Sequence, residues 1–166
     1  MSNPGAGKTQ MTLLMAWHAW LAGAFLVAYL SAGEDGYAVH QFAGYAVLAA
    51  IAARLAAGLV ASTGSPWRLP RVSWLAARAW LSTRKGRHPL FAALAAVLLS
   101  VVGLVAVSGA LADGTTWLED PHEAVAETSL WLVAAHIVFV TYMYAGRKWL
   151  AGLGRRVATG RNGSAR

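Results

Sequence analysis

Residues 89–112 read PLFAALAAVLLSVVGLVAVSGALA, 24 positions without one charged side chain. A helix crossing the hydrocarbon core of a bilayer needs about 20 mostly apolar residues, so this run reads as a span. It does not alternate polar and apolar residues, which excludes a lipid-facing β-strand. Its two interior glycines, Gly103 and Gly109, suggest close helix packing rather than chemistry. Working outward, three more runs qualify: residues 11–31, 37–61 and 121–150. The predicted fold is all-α, an integral membrane four-helix bundle. It forms a single domain over 1–166, with a polar tail at 152–166.

Composition and charge agree. Of 166 residues, 57% are hydrophobic and 13% charged, against about 25% charged in a soluble domain. Cysteine is absent, which excludes disulfides, iron–sulfur clusters, thiolate metal sites and covalently attached c-type haem. The net charge of +7 raises the question of nucleic acid, and the placement of the charges answers it. Lys8, then Arg68, Arg71, Arg78, Arg84, Lys85 and Arg87, then Arg147, Lys148, Arg155, Arg156, Arg161 and Arg166 flank the spans on one side. All seven acids, Glu34, Asp35, Asp113, Glu119, Asp120, Glu123 and Glu127, lie at the other. The positive-inside rule places both termini and the 62–88 loop in the cytoplasm. The basic side chains then meet anionic lipid headgroups, and no nucleic acid partner is needed.

The first span is expected to be retained, since its apolar run exceeds a signal-peptide core and no clean A-x-A site follows. Gly5-Ala6-Gly7-Lys8-Thr9 is half of a phosphate-binding loop, but Ser2 stands where the first glycine is required and no strand precedes it. In the basic loop, Arg71 and Arg78 share a helical face across Arg71–Leu81 while Trp74, Trp80 and Leu81 point elsewhere. This predicts a short helix lying in the membrane interface.

The chemistry rests on five histidines: His18, His40, His88, His122 and His136. Ionisable residues within spans are costly and point to function. Asp120, Pro121 and Glu123 predict that the last helix starts at Pro121, with Asp120 as N-cap and Glu123 as the capping-box acid. His122 then sits in the first turn. His136, 14 residues on, lies about 21 Å deeper and only about 40° round the helix. His40 opens the second span at the depth of His122. His18 lies 13 residues before Ser31, or about 20 Å down, at the depth of His136. Two layers of paired imidazoles result. A haem iron held from both sides fits this arrangement. Zinc fits poorly, because its ligands cluster about 2 Å from one ion. A proton relay stays open, although such relays ordinarily recruit Asp or Glu inside the spans. Gly44, one turn below His40, leaves room for a macrocycle. Arg54 has two readings: a side chain snorkelling to the headgroups, or a partner for a haem propionate. His88, just before Pro89, is read as interfacial, near a propionate or quinone headgroup.

His18 in span one, His40-x3-Gly44-x9-Arg54-x3-Gly58 in span two, Gly86-Arg87-His88-Pro89-Leu90, and His122-x13-His136 in span four together resemble the bacterial cytochrome b561 family. That family includes the b-type cytochromes of nickel–iron hydrogenases. The likeness covers nearly the whole chain, and its Gly-x-His-Pro piece is shuffled relative to relatives. The resemblance implies two non-covalent haem b groups, the outer on His40 and His122 and the inner on His18 and His136. It also implies a bacterial inner-membrane location and electron transfer between a quinone, ubiquinone or menaquinone, and a periplasmic redox partner.

Family members that oxidise superoxide need basic residues near the outer haem to steer an anion. This chain has only acids there, which disfavours that reading and suits a basic partner such as a cytochrome c. Two other classes compete. One is a membrane-anchor cytochrome b subunit of a larger oxidoreductase such as a hydrogenase or molybdoenzyme. The other is a haem-free four-helix membrane protein. A homo-oligomer is compatible with all of them.

Overall fold

The computed structural model describes residues 4–84 and 88–146. Their regular structure is helical, without a strand among them: α1 (Pro4–Leu30), α2 (Tyr37–Val60), α3 (Trp74–Thr83), α4 (Leu90–Ala112) and α5 (Glu119–Thr141). All but α3 are long and apolar enough to cross a bilayer, which makes this a multi-pass membrane protein. The chain, expected as one domain, divides into two compact units at Ser129–Leu130, and each is described by itself.

In the first unit α2 is central, packed against α1 on one side and α4 on the other. Its buried face carries Ala43, Val47, Ala50, Ile51, Arg54 and Gly58, spaced three or four residues apart as one helical stripe requires. Val47 and Ile51 meet Val102 and Ala106 of α4, with Leu21, Ala24 and Phe25 of α1 closing over them. A Cβ on Gly103 would stand 3.5 Å from Ile51, ordinary contact, so small residues let these helices approach. Trp17 donates from Nε1 to the Ala50 carbonyl at 2.8 Å, an interhelical bond in a medium without water to compete for it. Phe42, Leu59 and Val60 stand exposed on α2, as expected where lipid is the solvent.

The ends of α2 and α4 fall within a residue of the expected spans, but two other boundaries differ. α1 starts at Pro4, seven residues before the expected run, so Gly5–Thr9 is helical; proline suits a first helical position because its missing N–H has no helical partner there. α5 starts at Glu119, two residues before Pro121. It grows directly from a 3₁₀ turn, Thr116–Leu118, so Asp120 and Pro121 lie inside the first turn and Asp120 is not the N-cap. The second unit continues α5 from Leu130 and ends, as described, in a π-helical turn, Tyr142–Gly146. Residues 147–150 of the expected fourth span, and the polar tail, lie outside the described residues.

The short helix α3 is present, but Arg71 lies outside it. Ser73 caps its N-terminus by accepting from the Ala76 N–H at 3.3 Å, so the expected shared face of Arg71 and Arg78 does not form. None of its side chains is buried, and Trp74, Leu75 and Leu81 are exposed, as an interfacial helix requires.

Candidate functional site

The end of the first unit where α1 finishes and α2 starts carries the polar groups. α1 leaves its last carbonyls without helical partners. One of them, Ala28 O, lies 2.7 Å from His40 Nδ1. A carbonyl oxygen only accepts, so Nδ1 carries the proton and donates. In the neutral imidazole, Nε2 is then the lone-pair nitrogen.

His122, in the first turn of α5, reaches the same end. Its ring centroid lies 6.1 Å from that of His40, with the planes crossing at 67°. Its Nδ1 is 3.1 Å from Ser108 Oγ of α4, and that hydroxyl is also 3.0 Å from the Val105 carbonyl. His122 Nδ1 and Ser108 Oγ thus join α5 to α4, with the direction of the bond set by the imidazole tautomer. A ring N–H fixed on an oxygen is the arrangement that orients histidines for metal binding. Gly109 makes room for the ring: a Cβ there would stand 2.8 Å from His122 Cε1. This glycine was expected to serve helix packing, and it accommodates the imidazole instead.

Two tests bear on an iron porphyrin at this pair. A metal–imidazole bond of about 2.0 Å, with each centroid about 1.1 Å behind its nitrogen, puts two opposed rings about 6 Å apart. The observed 6.1 Å is of that size, and is also the separation of an edge-to-face ring contact. One turn along α2, a Cβ on Gly44 would meet nothing within 4 Å, so that face stands open.

The other predicted residues are placed as follows. His18 lies on α1, exposed on the first unit, with its ring edge-on to Trp17 at 6.4 Å. His136 lies on α5, half-buried in the second unit. The coupling of His18 with His136 spans the two units and rests on the sequence reading. His88 accepts from the Leu90 N–H at 3.2 Å through Nδ1 and lies against Trp80 at 4.2 Å between centroids. It caps the start of α4.

Arg54 fits neither expectation. It is 7% exposed and does not reach outward. Its guanidinium donates to the carbonyls of Trp67 at 2.5 Å and Arg68 at 3.2 Å, and sits over the rings of Trp17 and Trp67 at 5.8 and 5.7 Å. Its role is to hold the 61–73 loop against α1 and α2. Gly58 belongs to the same contact, since a Cβ there would stand 2.6 Å from Leu69; the loop, not a cofactor, is what approaches it.

Asp113 is the residue that sequence reasoning missed. It follows α4 and accepts from Tyr45 Oη at 2.7 Å, Gln41 Nε2 at 3.0 Å and Tyr37 Oη at 3.0 Å. These donors, Tyr45 and Gln41 foremost, hold its carboxyl below the usual carboxylate range. Tyr37, Gln41 and Tyr45 are spaced four apart, on one face of α2, a signal visible in sequence without its partner. The network pins α4 beside His40.

Compared with models of protein families, with curated proteins and with solved structures, the chain matches none.

Proposed function

We propose that this protein is a di-haem b-type cytochrome that carries electrons across a bacterial inner membrane, with both termini in the cytoplasm. Its route runs between the quinone pool and a periplasmic redox partner. The observation that carries this reading is the His40–His122 pair: 6.1 Å between centroids, with each Nδ1 engaged by an oxygen. His40 and His122 would hold the haem nearer the acidic turns, and His18 with His136 the second. Haem b, when bound, supplies a one-electron iron couple.

The chain's own residues do the positioning. The Ala28 carbonyl and Ser108 hydroxyl orient the two imidazoles, and the carbonyl fixes the tautomer of His40. Asp113, through Tyr37, Gln41 and Tyr45, keeps α2 and α4 in register beside them. The quinone and the redox partner rest on the resemblance of the histidine pattern to the cytochrome b561 family and on the acidic turns, which suit a basic surface.

Reduced-minus-oxidised spectra of the purified full-length protein and four variants test the assignment. His40→Ala and His122→Ala should remove the same component of a b-type α-band. His18→Ala and His136→Ala should remove the other. Loss of different components by His40→Ala and His122→Ala would refute the pairing.

A further inference from the structure

A cavity of about 250 Å³ opens at the other end of α2, lined by Gly58, Leu59, Ala61, Arg68, Leu69 and Arg71. Two arginines border it, yet no acid is near. The seven acids of the whole chain all precede α2, follow α4 or lie in the first nine residues of α5. Asp113 is fixed to Tyr45 and its neighbours, and Tyr45 is 13 residues from Gly58, or about 20 Å along the helix. Arg68 gives one N–H to Thr63 Oγ1 at 2.7 Å, a neutral partner. The charge of this pocket is therefore not neutralised by protein.

The remaining walls are aliphatic. Leu59 is 78% exposed on the last turn of a membrane-length helix, at the level where hydrocarbon gives way to headgroups. Cations beside an apolar slot at that level suit a ligand with a phosphate and an acyl chain together. Arg54 shapes the slot from behind by holding the backbone of Trp67 and Arg68.

We propose that this pocket binds an anionic phospholipid, with its phosphate between Arg68 and Arg71 and an acyl chain along Leu59 and Leu69. The site is separate from the histidine pair and does not depend on the electron-transfer reading.

Native mass spectrometry of the detergent-purified full chain tests this, with phosphatidylglycerol, phosphatidylcholine and inorganic phosphate added in turn. One phosphatidylglycerol should be retained in preference to phosphatidylcholine, and inorganic phosphate should not displace it. Arg71→Gln should lower the occupancy ratio about fivefold, and Arg68→Gln with Arg71→Gln further, at about 1 kcal/mol per basic residue. Arg78→Gln, on α3 outside the cavity, should leave retention unchanged. Equal loss on Arg78→Gln would reduce the effect to general surface charge and overturn the site. Equal retention of both lipids would overturn it as well, and displacement by inorganic phosphate would overturn the lipid assignment. Because Arg71 is exposed, the single variant reports binding even if the double variant is unstable.

Discussion

The two ends of α2 carry buried or half-buried polar side chains that are used in opposite ways. At the basic end, Arg54 is consumed internally: its guanidinium faces backbone carbonyls and two indole rings, and it holds a loop. At the acidic end, His40 Nδ1 is engaged by the Ala28 carbonyl and His122 Nδ1 by Ser108 Oγ. A polar group in lipid must be satisfied, and both ends obey this. His40, its Nδ1 proton given to the Ala28 carbonyl, keeps its Nε2 lone pair. On the proposed function, the difference separates a residue that builds the protein from residues that would hold a haem.

That contrast is easiest to break with exchange experiments. The largest expected effect is on cofactor content. His122→Ala should lower haem from two to about one per chain, whereas Arg54→Met should leave haem content unchanged; pyridine haemochrome assays of both variants decide it. Stability should respond in the reverse order. Arg54→Met strands the Trp67 and Arg68 carbonyls without donors and should cost about 2–4 kcal/mol, read from denaturant unfolding of the detergent-solubilised protein. A spectrum altered by Arg54→Met with stability intact would restore the propionate reading.

The glycines sharpen the same comparison. Gly109→Ala drives a methyl into the His122 ring, and Gly58→Ala drives one into Leu69. Overpacking of this kind costs about 1–3 kcal/mol. Gly109→Ala should also shift or abolish one haem component, while Gly58→Ala should act on stability alone. The potentials of the two variants, measured by redox titration, distinguish them.

The smallest effect concerns Asp113. Its carboxyl is held below the usual range by hydroxyl and amide donors. A carboxyl depressed on folding contributes stability that is complete above its unfolded pKa and is lost as pH falls through the folded value. The stability gap between wild type and Asp113→Asn should thus be constant near neutrality and close as pH drops below about 4. Because the group is exposed, the gap should be under about 1 kcal/mol. A gap that widens in acid would contradict the hydrogen-bonded carboxylate.

Much of this was legible in the sequence. Apolar run length located the four long helices, because the bilayer imposes it. Helical rise placed His40 and His122 at one depth, and their rings lie together. What stayed hidden depended on neighbours remote in the chain. Arg54 could not be assigned because its partners, the carbonyls of Trp67 and Arg68, belong to a loop whose path sequence does not specify. Gly109 resembled a packing glycine because nothing local shows which ring crosses it. Asp113 counted as one of seven topological acids until its three donors, all on α2, came within reach. The α5 start was misplaced because a 3₁₀ turn supplied the helix entry that Asp120 and Glu123 would otherwise have supplied.

The most direct test of the central claim is a redox titration of the purified full-length protein with haem quantified per chain. Two b-type haems per chain, titrating as separate one-electron steps, are expected. A preparation folded and helical yet free of haem, or one holding a single haem that survives loss of both His40 and His122, would contradict it.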